Sequence, residues 1–431
     1  MTYRIFIDGA AGTTGLQVNE RLAAHPSVTP VTLDDAQRKD AAARREMMAA
    51  SDITILCLPD DAARESAALA AEVGARVIDA STAHRTAEGW DFGFVELFDG
   101  ARDAVAGSAR ISNPGCYSTG FLALARPLVA AGIIAADAGL TVPAVSGYSG
   151  GGKGMIGRFE AGEMPPHGVY GLALAHKHIP EMVRYAGLDR APIFMPSVGN
   201  FYAGMLVHLP LHAASLNRAV TAADIHDVYA AQFAGSPFIR MGAPQAGDPE
   251  VAAMMLDASA LAGCDHMEIF VFANADESQF WLTARLDNLG KGASGAAVQN
   301  MNIALGLDET AGPRSDRGAA MNPLADQHLY LADQSEDQRA SDYPYAAPEG
   351  AYVLDHGRLL QLSDASVLEG RVAVLSVGSN RAPVQLRRKF GDKAVVPVTP
   401  LILHDCDVVH AAAISYYGAV SCTAFPRAAP M

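Results

Sequence analysis

The stretch YRIFIDGAAGTTGLQVNERLAAH (residues 3–25) decides which fold the sequence predicts. It starts with YRIFID, typical of a strand, ends with LQVNERLAAH, typical of a helix, and joins the two through GAAGTTG. Gly9, Gly12 and Gly15 would let the backbone approach a phosphate closely, and a helix N-terminus offers unpaired N–H groups to it. The stretch therefore predicts a dinucleotide-binding loop. Because the spacing is GxxGxxG rather than the commoner GxGxxG, a plain glycine-rich turn stays open as the alternative.

The residues that follow repeat the alternation of strand and helix. Strand patterns cover residues 28–33, 52–59 and 76–81, and helical patterns separate them. The run at 52–59 is almost continuously apolar, as expected of a strand buried on both faces. Such alternation predicts an α/β fold with a Rossmann-type, doubly wound parallel sheet over residues 1–115.

Beyond this sheet the pattern changes twice. Residues 116–288 predict a mixed α/β domain around a mostly antiparallel sheet, and 291–307 reads as a closing amphipathic helix. Residues 311–349 are polar and rich in Pro and Gly, which predicts a linker. Residues 350–431 become apolar and strand-like again, so a small C-terminal module is expected.

Composition limits the classes of partner. The 431 residues carry a formal net charge of −15, which disfavours nucleic acid and anionic membranes as partners. The apolar runs are too short or interrupted for a transmembrane helix, and no signal-peptide pattern is seen. The five cysteines are far apart, so neither a disulfide framework nor a zinc site is expected. A cytoplasmic protein is the expectation.

One cysteine stands out by its position. In SNPGCYSTGF (residues 112–121), Cys116 follows an Asn-Pro-Gly turn and opens a predicted helix. The positive end of a helix favours the thiolate, which is the reactive form of cysteine. Cys116 is therefore a candidate nucleophile, and a packing role is the alternative.

Two histidines are the candidate partners of this thiol. In HKHIPEM (residues 176–182), His176 and His178 are two residues apart and would share one face of a strand. A metal site is conceivable there, but no third ligand is nearby. An imidazole that takes the thiol proton and returns it at neutral pH is the sharper interpretation.

Other segments offer anion-binding groups. SGYSGGGKG (146–154) predicts a flexible loop of N–H donors with Lys153, or simply a hairpin loop. DASTAHR (79–85) ends a strand where ligands bind in such sheets, although Ser81 and Thr82 could instead cap the next helix. HDCDVVH (404–410) and SVGSNR (376–381) in the C-terminal module suggest a metal and an anion only weakly.

The end of the second predicted strand bears on the choice of cofactor. Asp34 and Asp35 could hold the ribose hydroxyls of NAD. Arg38 and Lys39 could instead hold the 2′-phosphate of NADP. These residues by themselves leave both cofactors open.

Taken together, the motifs resemble the N-acetyl-gamma-glutamyl-phosphate reductase family, which is related to aspartate-semialdehyde dehydrogenase. Five segments stand in that family's order and at matching separations: GAAGTTG, NPGCYSTG, SGYSGGGK, HKHIPE and DNLGKGASGAAVQNMN. The resemblance covers roughly residues 1–310 and is closest to the shorter of the family's two sequence types. Aspartate-semialdehyde dehydrogenase itself fits less well, and residues 315–431 depart from the family.

The resemblance implies a domain for each part of the chain. Residues 1–115 would bind NADP, completed by a closing helix at 289–307, and 116–288 would form the catalytic and dimerisation domain. Reduction of N-acetyl-L-glutamyl 5-phosphate by NADPH, through a thioester, is the implied reaction, and a dimer or tetramer is the implied assembly. The alternatives are a reductase of another acyl phosphate, such as aspartyl phosphate or an aminoadipate derivative, and a non-catalytic NADP-binding sensor.

The resemblance also carries roles onto individual residues. Cys116 would be the nucleophile and His178 the acid/base, with His176 as a substrate contact or the alternative base. The cofactor contacts predicted from the resemblance and from the motifs above are Gly9, Gly12, Thr13, Thr14, Gly15, Arg38, Ser81, Ser146, Gly147, Gly150, Gly151, Asn288 and Gly292. The predicted substrate contacts are Asn113, Tyr117, Lys153, Arg158 and Lys177. No resident metal is predicted.

Overall fold

The computed structural model describes residues 2–34, 36–242, 255–312 and the backbone at 245–246. Further on it describes the backbone of five strands (352–355, 358–361, 395–398, 406–414 and 420–426) and Leu386. The chain divides after Asp316 into two compact units, and each is described by itself. Among the described residues, no helix combines the length and apolar character needed to cross a bilayer.

The first unit begins with a six-stranded sheet in which every pairing is parallel. Its strands are β1 (Tyr3–Asp8), β2 (Val28–Val31), β3 (Ile53–Leu56), β4 (Val77–Asp79), β5 (Asp91–Phe92) and β6 (Arg110–Ser112), in the order β2-β1-β3-β4-β6-β5. The helices α1 (Thr13–Ala23), α2 (Ala41–Ala49), α3 (Asp60–Glu72) and α4 (Ala101–Gly107) accompany it. All four residues of β3 are buried, as its apolar run predicts. The predicted parallel α/β sheet is confirmed.

A second sheet of eight strands is mixed, with four antiparallel and three parallel pairings. Its strands are β7 (Thr141–Gly147), β8 (His167–Val169), β9 (Ile193–Gly199), β10 (Met205–His212), β11 (Ile239–Met241), β12 (Gln245–Ala246), β13 (Met267–Ala273) and β14 (Gln279–Leu286). They lie in the order β11-β13-β14-β10-β7-β9-β8, with β12 beside β13. The associated helices are α5 (Cys116–Ala130), α6 (Gly152–Glu160), α7 (Ile179–Ala186) and α8 (Ala222–Gln232).

Alternation along the strands of the second sheet separates its two faces. On β10, Met205, Val207 and Leu209 are fully buried in the main core, whereas His208 and Pro210 between them are more exposed. Helix α5 packs on β10 and β14 and is buried along most of its length. The sheet thus has one face covered by helices and one open face.

The end of the first unit differs from its prediction. Residues Gly290–Ser294 form one π-helical turn, and α9 (Gly295–Leu305) follows it. A closing amphipathic helix was expected here; the helix is present, but α9 is buried on nearly all sides. It packs against α1, α4 and β4, and its polar side chains find partners in the interior, as Asn302 does with His25.

The second unit contains a three-stranded antiparallel sheet and a hairpin. The sheet has the order β16-β15-β17, from β15 (Tyr352–Asp355), β16 (Arg358–Gln361) and β17 (Val395–Val398). The hairpin joins β18 (Cys406–Ile414) to β19 (Val420–Pro426), with His410 opposite Cys422. The predicted linker beyond Gly312, the SVGSNR motif and His404 lie outside the described residues.

Candidate active site

Cys116 is the first residue of α5 and is half-buried. Strand β6 ends at Ser112, and a short turn through Asn113, Pro114 and Gly115 delivers the chain to the helix. The backbone N–H of Asn113 donates to Asp79 O at the end of β4, at 2.8 Å. The cysteine therefore lies at the carboxyl edge of the parallel sheet, where ligands bind in open α/β folds.

Three side chains crowd around the residue that precedes Cys116. A Cβ atom at Gly115 would stand 2.3 Å from Nη1 of Arg85 and 2.7 Å from both Oε1 of Glu181 and Cε1 of His178. Only glycine fits there, because any side chain would collide with all three groups. The NPGC turn thus brings a cation, a carboxylate and an imidazole beside the thiol.

His178 lies beside the residue that precedes Cys116. It caps α7, its side chain is only 6% exposed, and its Nδ1 has no partner among the described residues. Burial, with the charge of Arg85 beside it, holds the pKa of His178 well below 6.5. The imidazole is therefore neutral at pH 7 and can accept a proton.

His176 lies in the same turn, but the predicted strand is wrong. Residues 176–178 form the turn that enters α7, and the two imidazole rings meet edge to face with centroids 4.8 Å apart. Nδ1 of His176 accepts the backbone N–H of His178 at 3.2 Å, so His176 helps to orient it. In the described part of the chain, no group of three or more His, Cys, Asp or Glu is placed to hold a metal ion.

The thiol of Cys116 is protonated in the free protein. Burial raises its pKa to about 11, against the opposing effects of Arg85 and of the N–H of Tyr117. The N–H of Tyr117 at the helix N-terminus does favour the thiolate, as expected, but desolvation outweighs this effect. A base is needed to take this proton, and the neutral imidazole of His178 lies against Gly115, the residue before Cys116.

Arg85 and Glu181 form a buried ion pair beneath this site. Nη1 of Arg85 lies 2.8 Å from Oε1 of Glu181, and their side chains are 8% and 1% exposed. Sequence reasoning quoted Glu181 within the HKHIPEM segment and Arg85 at a strand end, but gave neither residue a role in the site. The spacing of Glu181 could have indicated its position, because it follows His178 by three residues and therefore lies on the same side of α7.

Two predicted substrate contacts, Asn113 and Tyr117, are engaged in holding the site together. The hydroxyl of Tyr117 donates to Ser197 O at 2.9 Å, and its ring packs against both histidines and Phe194. Nδ2 of Asn113 donates to Ala293 O at 2.9 Å, in the π-helical turn.

The π-helical turn lies directly against the nucleophile. A Cβ at Gly292 would stand 2.7 Å from Cβ of Cys116. Gly292, predicted from the resemblance as a cofactor contact, therefore packs directly against Cys116. The hydrogen bond from Asn113 to Ala293 holds the turn in this position.

The glycine-rich loop has the shape that a phosphate requires. Gly9 has φ +93°, and a Cβ there would stand 2.4 Å from Cys57 O, while one at Gly15 would stand 2.3 Å from Gly9 O. At the start of α1, Oγ1 of Thr13 is buried with no partner among the described residues. An unpaired hydroxyl at a helix N-terminus fits a phosphate group, so these residues suit a dinucleotide.

The segment predicted as a loop at 146–154 is instead helical. A single 3-10 turn (Tyr148–Gly151) follows β7 and leads into α6. A Cβ at Gly152 would stand 3.9 Å from Oγ1 of Thr13, so this segment faces the glycine-rich loop. The side chain of Asn288 anchors it by donating to Ser149 Oγ at 3.0 Å and accepting from Gly204 N at 2.8 Å.

Four other predicted cofactor contacts, Ser146, Gly150, Gly151 and Thr14, lie in three different elements. Within the same segment Ser146 is buried and donates to Gly147 O, whereas Gly150 and Gly151 belong to the 3-10 turn. Thr14 belongs to the first turn of α1.

Ser81 and Thr82 do not cap a helix. Ser81 donates to Oδ2 of Asp79 at 2.8 Å, and Thr82 bonds Asp60. Residues 81–86 continue as a turn, so the capping alternative is wrong.

The side chains that follow β2 were predicted to bear on the choice between NAD and NADP. Oδ1 of Asp34 accepts the N–H groups of Ala36 and Gln37 at 3.0 and 2.8 Å, so its carboxylate is engaged in its own turn. Arg38 is exposed in that turn. Asp35 lies outside the described residues.

The predicted cationic contacts fall in two places. Lys177 is exposed in the turn between the two histidines, and its charge lowers the pKa of Cys116. Lys153 and Arg158 are exposed on α6, where Arg158 lies 3.7 Å from Glu163. Among Lys153, Arg158 and Lys177, it is Lys177 whose charge acts on the thiol of Cys116.

Comparison with known proteins agrees with this arrangement. Residues 4–112 match the profile of the semialdehyde dehydrogenase NAD binding domain, and residues 116–288 match that of the semialdehyde dehydrogenase dimerisation domain. Aspartate semialdehyde dehydrogenase II from Vibrio cholerae, in complex with ASA, superposes with a TM-score of 0.54 at 16% identity, covering 71% of this chain and 98% of that one. At that identity the likeness shows the fold alone.

Two relatives are much closer in sequence. N-acetyl-gamma-glutamyl-phosphate reductase from Trichormus variabilis is 46% identical over 319 residues, which cover 72% of this chain and 98% of the relative. The enzyme of that name from Rhizobium etli is 47% identical over 311 residues, 71% of this chain and 99% of the relative. The chain therefore belongs to the N-acetyl-gamma-glutamyl-phosphate reductase family, within the semialdehyde dehydrogenases.

Proposed function

We propose that the protein reduces N-acetyl-L-glutamyl 5-phosphate to N-acetyl-L-glutamate 5-semialdehyde and phosphate, with NADPH as the reductant, in arginine biosynthesis. The observation that carries this proposal is the position of the neutral, buried imidazole of His178 against Gly115, directly before Cys116, in a chain of this family. A thiol with a base beside it can form a covalent acyl intermediate.

The first step transfers the acyl group to the protein. His178 takes the proton from Sγ of Cys116, and the thiolate attacks the acyl carbon of the substrate. The bond from that carbon to the phosphate oxygen breaks, and phosphate leaves with the electron pair. The product is a thioester on Cys116, which unlike a free carboxylate can accept a hydride.

The second half-reaction releases the aldehyde. Reduced nicotinamide, when bound, supplies the hydride to the thioester carbon. Protonated His178 donates its proton to the resulting oxygen and then removes it as the thiohemiacetal collapses. The carbon–sulfur bond breaks, and Cys116 is restored as a thiolate.

The residues that support cofactor binding lie around the glycine-rich loop. Thr13, with its unpaired hydroxyl, and the crowded glycines Gly9 and Gly15 suit the pyrophosphate. We assign the 2′-phosphate of NADP to Arg38, since Asp34 is engaged within its own turn. Gly292, beside Cys116, would adjoin the nicotinamide.

The substrate is an anion in a protein of net charge −15, so it needs a local cation. Lys177 is exposed between the two histidines and acts electrostatically on Cys116. We assign it to one of the two anionic ends of the substrate. We also propose a cytoplasmic location, as expected for an enzyme of amino-acid biosynthesis.

A homo-oligomer is proposed from the open face of the second sheet. Ile193, Met195 and Trp281 are 53%, 46% and 57% exposed on this face, and the rings of Phe270 and Phe272 stack beside them. Apolar surface of this kind is typical of a protein–protein interface. The match to a dimerisation domain supports a second copy of this chain as the occupant.

The reaction run in reverse tests the proposal. N-acetyl-glutamate semialdehyde, phosphate and NADP are mixed with the protein, and the absorbance of NADPH is followed with and without a thiol alkylator. NADPH formation that alkylation abolishes is the expected result. Activity with aspartate semialdehyde instead would keep the mechanism and overturn the substrate, and silence with both aldehydes would overturn the reaction.

A further inference from the structure

The carboxylate of Glu181 caps a helix other than its own. Glu181 is the third residue of α7, whose capping residue is His178. A glutamate in that position usually reaches back to the cap of its own helix. Here Oε2 of Glu181 accepts the N–H of Gly115 at 3.3 Å, and Gly115 is the capping residue of α5. One turn of α7 therefore carries both the base and an anchor for the nucleophile's helix.

The other oxygen of Glu181 fixes Arg85. Oε1 accepts Nη1 of Arg85 at 2.8 Å, while Nε of Arg85 donates to Asn113 O at 3.0 Å and Nη2 to Ala80 O at 3.3 Å. The guanidinium is thereby held by three elements at once. Because both charges are buried, each acts strongly on groups nearby.

We propose that Glu181 is a positioning residue that sets the reactivity of Cys116 by holding Arg85 against the first turn of α5. The positive charge of Arg85 favours the thiolate, and the negative charge of Glu181 opposes it. The pair thus adjusts how readily the thiol gives up its proton, while the hydrogen bond to Gly115 fixes where the thiol stands. This inference rests on the proposed function only in taking Cys116 as the nucleophile.

Other titratable groups also face this thiol. They are His176, Lys177 and His178 in the turn before α7, Tyr117 on α5, and Tyr170 after β8. None of them is altered in the variants below, so their influence is common to every protein compared. If the Glu181 and Arg85 variants shift the thiol pKa in opposite directions, those shifts are therefore attributable to this ion pair.

The test measures alkylation of Cys116 by iodoacetamide in the free protein as a function of pH, with the modified residue identified by mass spectrometry. Well below the thiol pKa the rate is proportional to the thiolate fraction, so a shift of one unit changes the rate about tenfold. Glu181→Gln keeps a side-chain oxygen that can hold Arg85 and removes only the negative charge, so we expect it to lower the apparent pKa by about 1 unit. We expect Arg85→Gln, which removes the positive charge, to raise it by about 1 unit. The double variant should return close to the parent. Glu72→Gln, which removes one carboxylate from the exposed pair with Arg45, is the matched control and should shift nothing.

A shift in the same direction for both single variants, or no shift for Glu181→Gln in a protein that keeps its melting temperature, would overturn the proposal. Should Arg85→Gln fail to fold because it leaves Glu181 unpaired, the thiol pKa of Glu181→Gln is compared with that of the double variant. Neither of these proteins contains the buried carboxylate, so their difference still measures the effect of Arg85. Alkylation needs neither substrate nor cofactor. Failure of the proposed reaction with normal, pair-dependent alkylation would therefore count against the reaction and not against the role of Glu181.

Discussion

Gly292 lies against Cys116 so closely that a Cβ atom added to it would stand 2.7 Å from Cβ of the cysteine. The same atom would stand 3.0 Å from Asp287 O, so the backbone has no room to move away on that side. The first turn of α5 and the π-helical turn before α9 are therefore in direct van der Waals contact at Cys116.

Replacing Gly292 by alanine should displace this contact. We expect a loss of stability of about 1–3 kcal/mol and a fall in kcat of at least about tenfold, because the nucleophile and the cofactor side of the site are pushed apart. Unfolding in urea and steady-state reduction measure the two effects. Gly157→Ala on α6, where a Cβ would meet nothing within 4 Å, is the control and should change neither. Full activity in Gly292→Ala would contradict the close contact.

Removing the thiol of Cys116 should stop the reduction without weakening the binding of NADPH. Cys116→Ala is expected to abolish reduction while the affinity for NADPH stays within about twofold, because the glycine-rich loop is untouched. Fluorescence titration with NADPH and the reductase assay measure the two properties. Cys57→Ala, which removes another half-buried thiol, should keep both. Turnover in Cys116→Ala at a comparable rate would rule out the thioester.

The buried imidazole of His178 makes stability depend on pH. Its pKa in the folded protein lies well below 6.5, so below pH 6.5 the unfolded chain binds a proton that the folded chain does not. Stability attributed to this group is complete above pH 6.5 and is lost as the pH falls. Between about pH 7 and 5.5 the free energy of unfolding should fall by about 1 kcal/mol less in His178→Gln than in the parent. His167→Gln, at an exposed position, serves as the control, and equal slopes for His178→Gln and the parent would refute the assignment.

Arg38 should distinguish the two nicotinamide cofactors. We expect Arg38→Ala to raise KM for NADPH about tenfold and to leave KM for NADH unchanged, because only NADPH carries the 2′-phosphate. Initial rates with each cofactor give both constants. Arg218→Ala, at an exposed arginine before α8, is the matched control and should leave both constants unchanged. An equal effect on the two cofactors would remove Arg38 from the phosphate site.

A charge on the open sheet face should break the proposed assembly. Trp281→Glu and Met195→Glu are expected to convert the oligomer to monomers, because a carboxylate cannot be buried there without a partner. Sedimentation velocity measures the mass. Leu16→Glu, at a leucine that is 49% exposed on α1, should leave the mass unchanged. An unchanged mass in both open-face variants would move the interface elsewhere.

The sequence predicted the parallel sheet well because its signals are local. The burial of β3 follows from its apolar run, and Gly9 needs its positive φ within the same short loop. The two sheets and the order of strand and helix patterns could therefore be read from periodicity alone.

The pair of Arg85 and Glu181 could not be predicted in this way. The two residues are 96 positions apart, and no local pattern reports that a carboxylate of α7 will cap α5. The desolvation that raises the pKa of Cys116 is likewise a property of the packed site, whereas the helix N-terminus is visible in the sequence. The closing helix was assigned the wrong environment because its polar residues, Asn300 and Asn302, pair in the interior instead of facing water.

The position of α9 also bears on how the chain matures during synthesis. The residues that complete the surroundings of Cys116 and His25, namely the turn at Gly290–Ser294 and Asn302, emerge from the ribosome nearly two hundred residues or more after their partners. A nascent chain that has reached the end of β14 has its nucleophile but not the turn that lies over it. The enzyme thus acquires its site only when the first unit is almost fully translated, and a truncation before residue 290 should leave an exposed, unproductive thiol.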